Sequence, residues 1–523
     1  MNHAETSAHS DSTLWIPTSN WCGRLILPEE SDRKDDGSIF VELLQVPGTH
    51  HSLKGETFRL RLDAEWTDRV SVSIKFGPIT RSSMKTGTVH PERLDGWDRV
   101  SPLESLIGAH PENDVLVELV DPVEEGDYLV IQKEPVQISG SQRTLARFVN
   151  QNPDGKWTIQ HWNRNENEFT GPTEIVAVTG RETLDPTGGE KLNAEGWYLY
   201  SDTDESGTRV VRGIEPRSLF RIKPDLLFVD EDTSLGFLKY RNWRKDKSIK
   251  GETSQIHLYP SERANNFQPK PGDKALLLHL FGGVAGKIGR KGGHFSFGMA
   301  EVVTDPFTGE LRLQIEYKQI YVNNVDGLIP GSSQWHCYMG DTTIGKLEIR
   351  PVCDYLIFIP ELFDETLGES AYTILERKLA EMTARYRTGE GDGLSLVSSA
   401  QNCSQDSSQA LYAAIRDWEV ALKAGELPSE IKPLCVRLRE HITPLFGLVP
   451  WAWKRTAKRQ PARPPFFRIL PAIKSWKTIV PRSNSDGLAE TFVRSGRPMI
   501  LLRSEMVGST DKDLNPAPPM RPW

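Results

Sequence analysis

Between Ile39 and Val178 short runs rich in Val, Ile, Leu and aromatics recur, among them IFVELLQV, FRLRLDAEW, VSVSIKFG, VLVELV, YLVIQ, LARFV and EIVAVTG, with turn-forming residues between them. Runs of this length bounded by turn residues read as strands rather than helices. In Val70–Lys75 the residues Val70, Val72 and Ile74 alternate with polar ones, and Phe58–Leu62 alternates likewise. A period of two gives each strand one buried face. Small antiparallel barrels satisfy that pattern, and no repeat of fixed length is present. A second β-rich stretch follows from Trp197 to Pro260, carrying WYLY, RVVRG, LFRI and QIHLY.

At QPKPGD, residues 268–273, two prolines and a glycine precede an apolar strand, which marks a boundary. KALLLHLFGG comes next, then a Gly- and base-rich loop over 282–293. GHFSFGMAEVV and LRLQIEYKQIYV flank a DPFTG turn, the pattern of a β-hairpin centred near Phe307. Ala371, Ile374, Leu375, Leu379, Met382 and Tyr386 recur at helical spacing. Leu411, Ala414, Ile415, Trp418 and Leu422 form a second helical stripe, with Asp406 or Ser407 as its N-cap. Cys403 therefore falls just ahead of a helix. The boundaries read as a disordered tail over 1–14, barrel domain or domains over 15–180, and a β-rich domain or extension over 181–268. An α+β unit over 269–445, a basic Pro/Trp-rich arm over 446–482, and a C-terminal helix, strand and tail over 483–523 complete the chain.

Composition removes several classes. The longest apolar stretches, 275–280 and 355–359, are far short of the roughly 20 residues that cross a bilayer. The first dozen residues lack the basic and apolar regions of a secretory leader, so the expected location is cytoplasmic, with a peripheral membrane association through the basic arm as an option. Five scattered cysteines with no CxxC pair fit reduced thiols. A net charge of −8 and a pI near 5.9 argue against binding nucleic acid with the whole surface, and no specific nucleic-acid partner is expected. From Thr443 to Arg482 there are nine Lys or Arg, no acids, seven prolines and three tryptophans. Such a segment suits an acidic membrane surface or a protein partner, or an arm wrapped over acidic parts of the same chain.

Three positions carry candidate chemistry. A thiol ahead of a helix gains from free N–H groups and the helix dipole, which favour its thiolate; a packed small residue is the plainer reading of Cys403. His294 opens a strand after two glycines. The hairpin register puts its opposite residue near 320, so Gln319 or Tyr321 lies beside the imidazole, with Glu316 a poorer choice. Nucleophile, base and orienting group would then be Cys403, His294 and Gln319. Lys287, Arg290, Lys291, Tyr321 and Asp406 are the candidate substrate-binding residues. FGGVAGKIG is not a phosphate loop, because the required first glycine is Phe281 and Ile288 follows Lys287. His336 and Cys337 are adjacent on the chain and make a poor metal site; no metal or cofactor is expected.

The order strand histidine, polar strand, then Cys403 heading a helix, with Asn402 before it, resembles circularly permuted papain-like (NlpC-type) thiol hydrolases, whose histidine precedes the cysteine. The expected fold is α+β and β-rich: small antiparallel β-barrel domains at the N-terminus, from the strand pattern, then the permuted papain-like α+β domain that the resemblance implies. GHFSFG (293–298), EYKQIY (316–321), MTARYRTG (382–389), CSQDSSQALYAAI (403–415) and LLRSEMVG (501–508) also resemble cyanobacterial proteins described as predicted Abi (CAAX) family proteases. That family name implies an intramembrane prenyl-protein protease working through a glutamate pair followed by arginine. No EExxxR occurs here. The leading expectation is a thiol hydrolase, either a peptidase or amidase or an acyltransferase, acting on a peptide, acyl or amide substrate. The alternatives are a non-catalytic β-barrel scaffold and a CAAX-type protease.

Overall fold

The computed structural model describes residues 14–63, 92–94, 96–97, 100–180, 184–187, 189–244, 249–285, 292–322, 328–388, 402–443 and 476–520. The strand expected at Val70–Lys75, the loop bearing Lys287, Arg290 and Lys291, and residues 444–475 of the basic arm lie outside these.

The chain is α+β and β-rich. In chain order the strands used below are β1 Cys22–Ile26, β2 Ile39–Gln45, β3 Thr57–Leu62, β4 Val115–Glu118, β5 Tyr128–Ile131 and β6 Val136–Gln137. They continue with β7 Gln142–Gln151, β8 Trp157–His161, β9 Thr173–Val178, β10 Trp197–Thr203, β11 Arg209–Pro216 and β12 Thr253–Leu258. The last six are β13 Lys274–Phe281, β14 Phe295–Thr304, β15 Leu311–Gln319, β16 Gly331–Gln334, β17 Pro351–Phe358 and β18 Met499–Glu505. The helices used below are α1 Trp335–Tyr338, α2 Ala371–Thr388, α3 Cys403–Ala424, α4 Lys432–Ile442 and α5 Pro481–Arg494.

Strands β7 to β11 close on themselves in the order β7-β8-β9-β11-β10-β7, antiparallel except for β9 with β11. Ala146, Phe148, Ile159, Val176, Leu199 and Val211 are buried in this barrel. It straddles the boundary expected at residue 180, because its last two strands come from the second β-rich stretch. The strands before it form no barrel of their own among the described residues. They instead extend the main sheet, in the order β16-β6-β4-β1-β2-β3-β5, joined through a single parallel pairing of Gln137 with Ser333.

The centre of that sheet runs β12-β18-β17-β13-β14-β15-β16. Strand β18, from the last part of the chain, inserts between β12 and β17 in antiparallel register. All seven of its residues are buried, so it belongs in the interior of a sheet. The unit expected over 269–445 therefore takes in chain from both sides of those limits. One face of the sheet, carrying Leu276, Leu278, Phe295 and Phe297, packs on helices α2 to α5. The other, with Leu277, Phe281, Ala300 and Tyr317, shares a core with the barrel.

The α2 periodicity is realised: all six residues of the expected stripe lie in the helical core. Helix α3 begins at Cys403 with Asn402 as N-cap, not at Asp406 or Ser407. Asn402 takes an extended backbone and its Oδ1 accepts from Ser404 N at 3.1 Å and Gln405 N at 2.9 Å, the standard relief for unpaired N–H groups at a helix start. Gly425, at φ +76°, ends the helix in the left-handed conformation. Trp418 on its buried stripe donates from Nε1 to Ala371 O at 2.8 Å, tying α3 to the start of α2.

Arg387 fastens α2 to the N-terminal region. Its fully buried guanidinium donates to both carboxylate oxygens of Glu134 at 2.8 Å, to Ser105 Oγ at 3.0 Å, and to Pro330 O and Pro102 O. The planar fork suits this arrangement, which an ammonium cannot reproduce. Arg387→Ala is expected to lower stability in urea denaturation by about 3–5 kcal/mol, because Glu134 is left buried and unpaired, and Arg387→Lys is expected to recover less than half of that loss.

Candidate functional site

The site is set by sheet register. Phe297 pairs with Lys318, and Phe295 with Leu280. Continuing the β14–β15 register places Tyr321 opposite His294 and Gln319 two residues away on the same face, a diagonal neighbour. Gln319 is the one that reaches: its Oε1 lies 2.7 Å from His294 Nε2. A carbonyl oxygen only accepts, so Nε2 carries the hydrogen and Nδ1 presents the lone pair. Among the described residues nothing hydrogen-bonds Nδ1.

Gly293 makes the entry to β14 possible. It sits at φ +76°, and a Cβ there would meet Phe281 O at 3.0 Å. Phe281 N in turn donates to His294 O at 3.0 Å. The imidazole is enclosed by the rings of Phe281 at 5.5 Å, His279 at 6.1 Å and Tyr338 at 6.4 Å between centroids.

Cys403, the first residue of α3, approaches the start of β14 from the helical side. It is 8% exposed, and its sulfur lies against the backbone of Phe295, the residue after His294. Burial pushes the thiol up to about 11, and the Asp406 carboxylate adds to that. Backbone hydrogen bonding at Phe295, Ser404 and Cys403 itself pulls it back only in part. The helix start thus does not deliver the stabilised thiolate expected from position alone, because dehydration outweighs it. His294 moves the other way. Burial brings it down to about 3, aided by positive charge at His279, Arg350 and Lys346, against the hydrogen bond to Gln319. At neutral pH Cys403 is a thiol and His294 a neutral imidazole.

Of the candidate substrate-binding residues, Tyr321 is partly exposed with its ring 5.9 Å from that of Tyr386. Asp406 lies within the first turn of α3 and accepts a hydrogen bond from the Tyr386 hydroxyl. That carboxylate is nearly buried and bonded inside the protein, so it does not present a free group to a ligand. Lys287, Arg290 and Lys291 are outside the described residues.

Sequence reasoning missed His279, Asp354, Tyr317 and Tyr338. His279 Nδ1 donates to Asp354 Oδ1 at 2.6 Å, and the Tyr317 hydroxyl donates to Asp354 Oδ2 at 2.7 Å. Tyr338, at the end of α1, stacks on Phe281 and is near enough to Cys403 for a charge there to oppose its ionisation. No described residue hydrogen-bonds its hydroxyl. The signal for His279 and Asp354 was a polar residue at the middle of an otherwise apolar strand, in LLLHLF and VCDYLIF. Among the described residues no helix is long and apolar enough to cross a membrane, and no group of three or more His, Cys, Asp or Glu could hold a metal ion.

No protein-family model, no curated protein and no solved structure matches the chain.

Two outcomes follow from the shifted groups. Alkylation of Cys403 by iodoacetamide, mapped by mass spectrometry, is expected to accelerate about tenfold per pH unit from 7 to 10, with no plateau below pH 9. His294 has a folded pKa below its unfolded value, so the unfolded chain binds the extra proton and stability falls as pH drops from about 6.5 toward 3. His294→Gln is expected to flatten that part of the urea stability profile relative to the native chain.

Proposed function

We propose that the protein is a thiol hydrolase or acyltransferase in which Cys403 is the nucleophile, His294 the general base and Gln319 the group that orients the base. The observation that supports this reading most is the 2.7 Å bond from His294 Nε2–H to Gln319 Oε1, with a helix-heading cysteine against the backbone of the next residue, Phe295. It leaves the imidazole lone pair at Nδ1 free for a proton.

In the proposed reaction Nδ1 takes the thiol proton as sulfur bonds to an amide or ester carbonyl carbon. The proton then passes to the departing amine or alcohol as the carbon–nitrogen or carbon–oxygen bond breaks. Water, or a second acceptor, attacks the resulting thioester with His294 again removing its proton, and as the carbon–sulfur bond breaks that proton returns to the Cys403 sulfur. Because the thiol starts neutral, proton transfer accompanies attack rather than preceding it. Asn402 occupies the N–H groups of Ser404 and Gln405, and the N–H of Asp406 donates to Asn402 O. The developing oxyanion is therefore left to the N–H of Cys403 and the unpartnered Tyr338 hydroxyl, instead of the later N–H groups of the helix. The substrate is read as a peptide, acyl or amide compound. A cytoplasmic protein whose basic arm meets an acidic membrane surface or a protein partner completes the proposal.

The test is acyl-enzyme trapping with p-nitrophenyl acetate. A burst of p-nitrophenol and an acetyl group on Cys403 by mass spectrometry are expected, lost in Cys403→Ala. His294→Ala is expected to slow the burst by about 10²–10⁴-fold, and Gln319→Ala by about tenfold, the scale of one lost hydrogen bond. Equal, slow acetylation of several cysteines would favour the scaffold reading, in which Cys403 is merely packed.

A further inference from the structure

The sheet beneath His294 carries a row of polar side chains through the core that it shares with the barrel. In register across four adjacent strands stand Asp354 on β17, His279 on β13 and Ser296 on β14, with Gln319 on β15 next in the continued register. Residues directly opposite on one face have Cβ atoms about 4.5–5.5 Å apart. Each of the four is at most 1% exposed. Asp354 is fully engaged, by His279 and Tyr317. The other three each keep one sealed polar atom without a partner: His279 Nε2, Ser296 Oγ and Gln319 Nε2.

One such atom is unremarkable, but three on consecutive positions of one row share an explanation. A buried polar group without a partner costs about 1–3 kcal/mol, and native proteins relieve clusters of this kind with internal water making two to four hydrogen bonds. The chemistry fits. The Gln319 amide nitrogen only donates, the serine hydroxyl does either, and the imidazole nitrogen does either according to its protonation.

We propose that one internal water bridges His279 Nε2, Ser296 Oγ and Gln319 Nε2, and that through it Asp354, His279 and Ser296 set the orientation of the Gln319 amide. The consequence reaches the nucleophile. With the water giving its hydrogens to His279 Nε2 and Ser296 Oγ, only its lone pairs are left for Gln319, so the amide nitrogen turns to it and Oε1 aims at His294, where Nε2 keeps its hydrogen and Nδ1 its lone pair. Turned over, the amide would present N–H groups to Nε2, move the imidazole hydrogen to Nδ1 and leave no base for Cys403. Ser296, His279 and Asp354 are thus positioning residues. This step rests on the thiol-hydrolase reading for its purpose, though the water site and the tautomer are measurable without it.

The experiment uses the full chain with ¹⁵N-labelled histidine, the His294 signal being identified by its loss in His294→Gln. In the native protein the long-range ¹H–¹⁵N pattern is expected to show the Nε2–H tautomer. Ser296→Ala is expected to give a mixture of tautomers and to slow the p-nitrophenol burst several-fold, with unchanged circular dichroism. Gln319→Glu has oxygens at both positions, so Ser296→Ala combined with it is expected to restore the Nε2–H tautomer. A crystal structure at about 1.5 Å should place one solvent atom among the three polar atoms. An unchanged tautomer in Ser296→Ala, the lack of ordered solvent there, or an anomalous peak after bromide soaking, which would make it an anion site, would each overturn the proposal. Failure of native Cys403 to acetylate would remove the thiol-hydrolase reading while leaving the tautomer result to stand.

Discussion

The antiparallel register of β17, β13, β14 and β15 is the constraint on which the site depends. One set of backbone pairings sets Asp354 beside His279, His279 beside Ser296, and His294 within reach of Gln319. A slip of one residue in any of these pairs would turn its side chains to the opposite face, sending the polar row toward the helices and Phe295 and Phe297 into the other core. The apolar residues flanking the row on both faces make that slip costly, since Leu276, Leu278, Phe295 and Phe297 would leave the helical core. The same packing that builds the core therefore specifies the chemistry-bearing geometry.

Burial has a second effect, on charge. Cys403 and His294 are both shifted toward their neutral forms, the thiol upward and the imidazole downward, and desolvation is the largest cause for each. The favourable end of α3 is real, but its nearest N–H groups are already committed to Asn402. What remains is a neutral thiol and a neutral imidazole, the latter held by the Gln319 amide.

Much of this was legible along the chain. The β14–β15 hairpin, its centre near Phe307 and the choice between Gln319 and Tyr321 follow from alternation and turn residues, and the stripes of α2 and α3 from helical spacing. The missed residues have a common cause. His279 and Asp354 sit inside strands that read as continuous apolar runs, where a lone polar residue looks like an accident until its cross-strand neighbour is known. Tyr338 belongs to a single helical turn too short to carry a periodic signal. The start of α3 was placed late because Asn402, Asp406 and Ser407 are all competent caps, and only the backbone conformation selects Asn402.

Local pattern in the amino-acid sequence determined most element types, the buried faces of α2 and α3 and the hairpin that brings Gln319 to His294, since all three depend on neighbours within a few tens of residues. The tertiary structure alone decided that β18 enters the middle of the sheet from the far end of the chain, that β7 to β11 close into a barrel across an expected boundary, and that Cys403 meets Phe295. It also decided the protonation states, because desolvation is a property of what surrounds a side chain after packing and leaves no trace in the order of residues.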